Sequence, residues 1–219
     1  DYAVSKNGRT GETIAKSTDH AKVIQVAIDS LPEFGKLAFI GSFDIDSDIL
    51  INKNNIVLEG GQLKTSSGSL KIGTATRVYN VTIQNIVFEG GNPSILIYGS
   101  QQNGVTLKNL RVENAEVGVK LDGSSSSHAV RGVRIVNSYF RYNTYAVYVQ
   151  GFYVNILIEK CTFHQHYSNS STAVKVTSSE GGIWIINSAI NGGGAGVGLD
   201  IGSDENSTND IYIGFTHIE

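Results

Sequence analysis

The segment that decides the fold is residues 81–88, VTIQNIVF, in which apolar and polar residues alternate on both sides of Asn85. Variants of it begin at residues 56, 105, 133, 156, 183 and 211, so the pattern occurs seven times. The copies start 25, 24, 28, 23, 27 and 28 residues apart. Alternation with a period of two is typical of β-strands, and a repeat of this length is typical of a stacked solenoid.

The two strands of each copy are separated by a single residue, which is too short for a hairpin turn. A third apolar pair closes five of the copies, as with Ile95 and Ile97. Units of three short strands cannot bury an apolar face alone and must stack on their neighbours. The repeat therefore predicts an all-β fold: a single-stranded parallel β-helix (solenoid) of about seven rungs over residues 37–219. The repeat does not fix the hand of the coil by itself; we expect a right-handed one from the general preference of parallel crossovers and from the resemblance given below.

The single residue between the first two strands is glycine or asparagine in five copies. These positions are Gly60, Asn85, Asn109, Asn137 and Asn187. A sharp bend without reversal needs one residue in the left-handed region, which glycine and asparagine tolerate best. Proline would remove a donor from strands that are paired on both sides. The chain accordingly contains 25 glycines and only two prolines.

A different pattern precedes the rungs and predicts a capping helix. Thr18 or Asp19 is a suitable N-cap, and Pro32 stands just after the helical pattern. The apolar positions that share one face of this helix are Val23, Ile24, Ala27, Ile28 and Leu31. We expect residues 1–36 to cover the N-terminal end of the coil and to form one structural domain with residues 37–219. No such lid follows Ile218, so we expect self-association, a neighbouring subunit or further sequence at the C-terminal end.

Composition narrows the possible partners. The formal net charge of −3 gives no overall electrostatic footprint for nucleic acid. No apolar run approaches the roughly 18 residues of a membrane helix, so neither nucleic-acid binding nor membrane insertion is expected. One cysteine excludes an internal disulfide. Hydrophobic residues make up 40% of the chain, which is enough for a packed core.

From about residue 18 to residue 219 the chain resembles the right-handed parallel β-helix proteins of the pectin-lyase-like superfamily, which carry an asparagine ladder at the tight turn. Residues 7–12 (NGRTGE), 23–28 (VIQVAI) and 55–60 (NIVLEG) are similar to segments of β-helix proteins of archaea, their viruses and phage tail spikes. The superfamily contains polysaccharide lyases, glycoside hydrolases, adhesins and domains without known catalysis. The resemblance therefore implies an architecture and leaves the activity open.

In enzymes of this kind the substrate lies across the outward face of the third strands, so the resemblance implies a groove there. The outward positions are Leu96, Tyr98, Lys120, Asp122, Tyr148, Gln150, Lys175, Thr177, Gly198 and Asp200. Aromatic, charged and amide groups are mixed, as on a sugar-binding surface. The glycan-binding candidates on this face are Tyr98, Lys120, Asp122, Tyr148, Gln150 and Lys175. An ordinary solvated sheet face is the alternative.

Catalysis is another possible use of the same groove. Glycoside hydrolysis needs two carboxylates roughly 5 to 9.5 Å apart. Asp122 and Asp200 are expected in equivalent positions three rungs apart, or about 14 Å at the strand spacing. The hydrolase and pectate-lyase signatures of the superfamily are missing from the sequence. Lys120 or Lys175 beside Asp122 is the arrangement that could supply the base of a polysaccharide lyase.

A second outward column is predicted on the second strands, where Glu113, Arg141 and His164 occupy equivalent positions. This column could bind an anionic sugar, so Arg141 and His164 are also glycan-binding candidates. The alternative is a salt bridge between rungs beside a histidine, which contributes little at a surface.

No cofactor is expected, although Asp200, Asp204 and Asp210 form the best place for a weakly held Ca²⁺. Strand alternation separates Cys161, which should point inward, from His164, and this argues against a zinc site. Cys161 is more simply a small buried residue.

Sequons at Asn80, Asn169 and Asn206 fit glycosylation of an exposed surface outside the cell. Trp184 is expected outward between Leu157 and Tyr212, as a subunit contact. We therefore expect a non-catalytic extracellular, cell-surface or virion-surface β-helix module that is structural, glycan-binding or both. The alternative is a polysaccharide lyase or glycoside hydrolase acting in the third-strand groove.

Overall fold

The computed structural model describes residues 1–73, 77–99, 104–123, 129–164, 171–191, 197–202, 208–214 and 217–218. It shows an all-β parallel solenoid with one short helix, which confirms the predicted fold class. The solenoid has about six turns, close to the seven rungs that the repeat predicts.

The N-terminal segment combines a hairpin with the predicted helix. Strand β1 (Ala3–Lys6) pairs antiparallel with β2 (Thr13–Ser17), and α1 spans His20–Ser30. Asp19 is the N-cap, and its side chain accepts the backbone N–H of Lys22 at 2.8 Å. The helix buries its apolar face against the first coil, as predicted. The hairpin itself was not predicted, because its strands carry no strict apolar alternation.

Most strands of the coil are short and most coils contribute three of them, whereas β18 and β21 have 10 and 15 residues and continue through a corner. The first coils contain β3 (Lys36–Ala38), β4 (Ser42–Ile45), β5 (Ile49–Ile51), β6 (Val57–Glu59), β7 (Gln62–Thr65), β8 (Leu70–Ile72), β9 (Thr82–Gln84), β10 (Val87–Glu89), β11 (Ile95–Tyr98), β12 (Thr106–Lys108), β13 (Arg111–Glu113) and β14 (Val117–Gly123). The later coils contain β15 (Val130–Arg131), β16 (Arg134–Val136), β17 (Tyr139–Arg141), β18 (Tyr145–Val154), β19 (Ile156–Glu159), β20 (Thr162–His164), β21 (Thr172–Ile186), β22 (Ala189–Asn191), β23 (Val197–Gly202), β24 (Thr208–Gly214) and β25 (His217–Ile218).

Successive coils stack in register on three faces. The second face is an eight-stranded sheet in the order β4-β7-β10-β13-β17-β20-β22-β25. The first face contains β3, β6, β9, β12, β16, β19, the end of β21 and β24. The third face contains β5, β8, β11, β14, β18, the start of β21 and β23. The first and third faces join into one sheet because β21 turns the corner between them without interruption.

Inward side chains form apolar columns along the coil. One column on the first face contains Ile83, Leu107, Ile135, Ile158 and Ile185, each at most 1% exposed. On the second face the rings of Phe140 and Phe163 stack with their centroids 5.0 Å apart. Burial of this kind contributes about 1.5–3 kcal/mol for each large apolar side chain. The core is therefore a set of stacked columns that runs the length of the solenoid.

The corner between the first and second faces is left-handed at one residue in five of the described coils. Asn85, Asn109, Asn137, Lys160 and Asn187 have φ between +49° and +57°. The amide of Asn109 donates to Oδ1 of Asn85 at 3.0 Å, so part of the predicted asparagine ladder is present. Lys160 adopts the same conformation although lysine gains no ladder contact there.

A second left-handed corner, which we did not predict, lies between the third face and the first face of the next coil. Asn55, Asn80, Gly104, Gly132 and Asn155 have φ between +52° and +72°. The amide of Asn80 donates to Oδ1 of Asn55 at 2.9 Å. Each of these residues stands immediately before a copy of the repeat, so glycine or asparagine at that position was the available signal.

Substitutions of Asn109 separate the two contributions of a corner asparagine. Asn109→Gly keeps the left-handed conformation but loses the ladder bond, so we expect the free energy of unfolding to fall by about 0.5–1.5 kcal/mol. Asn109→Ala also places a Cβ in the left-handed region, and we expect a further loss of about 1–2 kcal/mol. Urea unfolding followed by circular dichroism measures both. Equal losses in the two variants would contradict the left-handed constraint.

Cys161 lies in the inward column of the second face and is 1% exposed, as predicted. Its Sγ lies 3.5 Å from the carbonyl oxygen of Ile135 and 3.4 Å from that of Glu159. Burial raises the pKa of the Cys161 thiol to about 12, because the thiolate would lose its hydration. Burial also raises the pKa of Tyr153 to about 12, and the negative charge of Asp210 acts in the same direction. Both groups are therefore neutral in the folded protein at physiological pH.

The raised pKa of Cys161 predicts a loss of stability in alkali. The unfolded chain releases the thiol proton first, so this contribution is complete below about pH 9 and is lost as the pH rises towards 12. We expect the free energy of unfolding to fall by about 1.4 kcal/mol per pH unit from this group over that range. Urea unfolding between pH 7 and 11, compared with Cys161→Ala, isolates the effect because Tyr153 titrates in both proteins. Parallel pH curves for the two proteins would contradict it.

Candidate functional site

The third face brings most of the predicted groove residues together. Strand pairing places Lys120 beside Tyr148 and Tyr148 beside Lys175 on successive coils. Two residues further along the strands, at the next outward position, Asp122 aligns with Tyr98 on one side and with Gln150 on the other. Neighbouring parallel strands lie about 4.8 Å apart, so these outward side chains form two adjacent columns at that spacing.

Both lysines of the third face are held by carboxylates. Lys120 Nζ lies 3.0 Å from an Oδ atom of Asp122, and Lys175 Nζ lies 3.5 Å from an Oδ atom of Asp200. The side chains of Lys120, Asp122 and Lys175 are 18–25% exposed, whereas Asp200 is 45% exposed. These ion pairs hold the two ammonium groups in place, and the carboxylates largely neutralise their charges.

Tyrosine rings occupy the space between the two lysines. The Nζ atoms of Lys120 and Lys175 lie 5.7 and 5.9 Å from the ring centroid of Tyr148, within cation–π range. Lys175 also lies 4.9 Å from the ring of Tyr145, whose centroid is 5.8 Å from that of Tyr148. The hydroxyl of Thr177 donates to that of Tyr148 at 3.0 Å, which fixes the ring from the next coil.

Tyr145 belongs to this cluster and was missed in the sequence. Strict alternation from Val147 and Val149 places Tyr145 inward, but the structure leaves it partly exposed. The reason is that two consecutive residues near the start of β18, Ala146 and Val147, are both fully buried. The alternation of inward and outward residues therefore shifts by one residue there, and Tyr145 lies on the same side as Tyr148. In the sequence, the available signal was a tyrosine at a position that the alternation of Val147 and Val149 predicts to be inward.

The predicted strand register of Asp200 is wrong by two residues. The sequence suggested that Leu199 aligns with Val176, which would place Asp200 in the column of Asp122. The structure pairs Leu199 with Val174 and Ile201 with Val176, so Asp200 lies beside Lys175 in the other column. The pattern Val197, Leu199 and Ile201 offers two equivalent registers, and only strand pairing selects one.

The carboxylates of this face do not form a hydrolase pair. Three strand spacings separate the strands of Asp122 and Asp200, or about 14 Å, whereas a pair needs at most about 9.5 Å. Lys120 is ion-paired with Asp122 in the arrangement suggested for a lyase base. The geometry suits the positioning of a polar ligand over aromatic rings and charged groups.

The column of Glu113, Arg141 and His164 is present on the second face, as predicted. Glu113 lies 2.8 Å from Arg111 and 4.0 Å from Arg141. The guanidinium of Arg141 stacks 4.1 Å from the ring centroid of Tyr142 and hydrogen-bonds its hydroxyl, which raises the pKa of Arg141. These groups lie on a different face from Tyr148, so Arg141 and His164 do not join the third-face cluster.

The described residues hold no cluster of three metal-ligand side chains. Asp200 is ion-paired with Lys175, Asp210 lies on β24, and Asp204 is outside the described residues. Cys161 is buried while His164 is partly exposed on the outer side of the same face. Calcium at the predicted acidic loop therefore stays a prediction.

Of the three sequons, only the one at Asn80 lies in the described part of the chain; Asn169 and Asn206 lie outside it. Asn80 is exposed, but its left-handed backbone and its bond to Asn55 give it a role at the corner. On the first face, Trp184 lies between Leu157 and Tyr212, as predicted. Trp184 is 37% exposed and Tyr212 55% exposed, so the pair forms an apolar surface near the C-terminal end.

Comparison of the chain with protein-family models, with curated proteins and with solved structures found no match. Among the described residues, the one helix is too short and too polar to cross a membrane. Any statement about function therefore depends on the chemistry of the faces described above.

Proposed function

We propose that this chain is a non-catalytic β-helix module that binds carbohydrate on its third face. The observation that carries the proposal is the Lys120–Tyr148–Lys175 row, in which one ring is flanked by two ammonium groups on consecutive strands. A tyrosine ring can pack on the apolar face of a sugar while its hydroxyl makes hydrogen bonds. Lysine and carboxylate groups beside it supply donors and acceptors for hydroxyls.

The charge pattern favours an acidic glycan over a neutral one. Lys175 has the looser of the two ion pairs, because its Nζ lies 3.5 Å from an exposed Asp200, whereas that of Lys120 lies 3.0 Å from the less exposed Asp122. A uronate carboxylate could replace Asp200 at that ammonium, and Gln150 and Tyr98 in the next column would contact neighbouring hydroxyls. Side chains on a packed sheet need little reorganisation on binding, which lowers its entropic cost.

Binding should depend on Tyr148. We expect Tyr148→Ala to weaken binding of acidic oligosaccharides at least tenfold, because the stacking surface between the lysines is removed. Lys175→Ala should weaken binding of uronates more than binding of neutral sugars. A glycan array followed by titration calorimetry measures both effects. Tyr212→Ala is the matched control, since that tyrosine is exposed on the first face.

The alternative function is a polysaccharide lyase acting on the same face, because Asp122 and Asp200 are too far apart for the carboxylate pair of a glycoside hydrolase. The observation that favours it is the adjacency of Lys120 and Asp122, a potential base beside a carboxylate. Incubation with uronate and neutral polysaccharides distinguishes the two functions. Unsaturated products or new reducing ends that disappear in both Lys120→Ala and Asp122→Ala would replace the binding-only proposal. If all glycans fail to bind and no polysaccharide is cleaved, both functions are wrong.

We also propose that the chain is related to the pectin-lyase-like superfamily and acts outside the cell, on a cell surface or on a virion. The parallel solenoid and the partial asparagine ladder support this placement. A rigid rod with polar side faces suits a structural or adhesive role at such a surface.

A neighbouring subunit is the partner that we propose for the C-terminal end of the described coil. Val197, Ile201 and Ile213 are 41–46% exposed there, whereas the equivalent side chains of inner coils are buried. We expect Ile201→Lys to shift the protein towards monomer in sedimentation velocity, because a charge would lie in the contact. Val154→Lys, at a 37% exposed apolar residue away from that end, should have no effect. A wild-type protein that stays monomeric at high concentration would contradict the contact.

A further inference from the structure

A cleft lies at the opposite end of the molecule, between the N-terminal hairpin and the first coil. It has two connected parts of about 670 and 400 Å³ that share Lys6, Gly8, Ala27, Lys36 and Leu37. The smaller part is mainly apolar, with Val23, Ile24 and Ala27 of α1 among its lining residues. Val4 and Ile40 line it as well and are 42% and 90% exposed. The cap therefore leaves an apolar slot that it does not fill.

The slot is bordered by two strands that each have an unused edge. Within the described part of the chain, strand β3 is the terminal strand of its sheet and pairs only with β6. The carbonyl of Gly35 accepts a hydrogen bond from β6 and the N–H of Phe39 donates one to it. Alternate residues of a parallel strand bond to opposite sides, so the backbone N–H and C=O groups of Lys36 and Ala38 point away from β6. Strand β1, on the other side, pairs only with β2 among the described strands. An extended segment placed in the slot could pair with these edges.

One buried polar group in the slot has no partner. Ser5 is 9% exposed and lines the apolar part of the cleft, and its hydroxyl makes no hydrogen bond to any residue that the structure describes. A buried hydroxyl without a partner is destabilising, so its persistence needs an explanation. A ligand with backbone or side-chain polar groups would satisfy it.

The larger part of the cleft carries the positive charge. Lys6, Arg9 and Lys36 line it, and Lys36 is ion-paired with Glu59 on the next coil. Among the salt bridges of the described residues, none involves Lys6 or Arg9, and both are exposed. These two cations therefore favour a ligand with acidic groups at one end.

We propose that this cleft binds an extended peptide segment of a partner protein by strand addition. The segment has alternate apolar residues, which fill the slot over Val23 and Ile24, followed by acidic residues that meet Lys6 and Arg9. Its backbone pairs with the open edge at Lys36 and Ala38, and its polar groups satisfy Ser5. Strand addition of this kind obtains affinity from main-chain hydrogen bonds and specificity from alternate side chains.

The probe is a fluorescein-labelled synthetic peptide of sequence TVTVTVEE, titrated with the full chain and followed by fluorescence anisotropy. We expect saturable binding that weakens at least tenfold when the glutamates are replaced by lysines. A peptide with N-methylated valines keeps the side chains but loses backbone donors, and it should bind at least tenfold more weakly. Equal binding of the N-methylated peptide would overturn strand addition.

Protein variants test the location. Lys6→Glu combined with Arg9→Glu should weaken binding at least tenfold, whereas Lys22→Glu combined with Lys108→Glu makes the same charge change outside the cleft and should leave it unchanged. Ser5→Ala should weaken binding about twofold to tenfold without loss of stability, because it removes a hydroxyl that lacks a partner in the free protein. Circular dichroism and urea unfolding confirm that each variant is folded.

The opposite results overturn the proposal. Absence of binding at millimolar peptide, or equal binding by the Lys6/Arg9 variant and its control, excludes an acidic peptide from the cleft. Sedimentation velocity without peptide detects a second copy as occupant: a dimer that Lys6→Glu with Arg9→Glu abolishes would replace the peptide by another copy of this chain.

Discussion

Backbone pairing between coils, repeated at about 4.8 Å, is the constraint on which the rest of this structure depends. Parallel pairing on three faces places each side chain directly above its equivalent in the coil before. Apolar positions therefore become continuous columns, such as the one from Ile83 to Ile185, and polar positions become outward rows. The corners must turn without breaking this register, which requires left-handed residues at Asn85, Asn109 and their equivalents.

The same stacking turns separate loops of sequence into one surface. Lys120, Tyr148 and Lys175 are 28 and 27 residues apart in the chain, yet they are neighbours on the third face. Tyr148 is held by Thr177 and flanked by both ammonium groups, while each lysine is ion-paired. This is an ordered surface with balanced charge, and it is the surface on which the proposed recognition of a polar polymer rests.

A solenoid cannot cover the apolar columns of its own terminal coils, so each end needs another element to cover it. At the N-terminal end, α1 covers the columns, and its apolar residues Ile24 and Ile28 are almost completely buried. Coverage is incomplete beside β1 and β3, where the cleft with Ser5 remains. We therefore propose two kinds of contact for this molecule, a carbohydrate along its side and a polypeptide at its cap.

The sequence was enough to predict the strands of the coil, their parallel stacking, the capping helix and most outward residues, because apolar alternation and corner residues act within a few positions along the chain. It could not determine the register of β23, where Val197, Leu199 and Ile201 permit two pairings and only neighbouring strands select one. Tyr145 and the second corner carried a signal in the sequence that alternation alone does not read. Only the tertiary structure showed the hairpin and the cleft. Each depends on where separate coils and the cap meet in space, and local alternation carries no information about that.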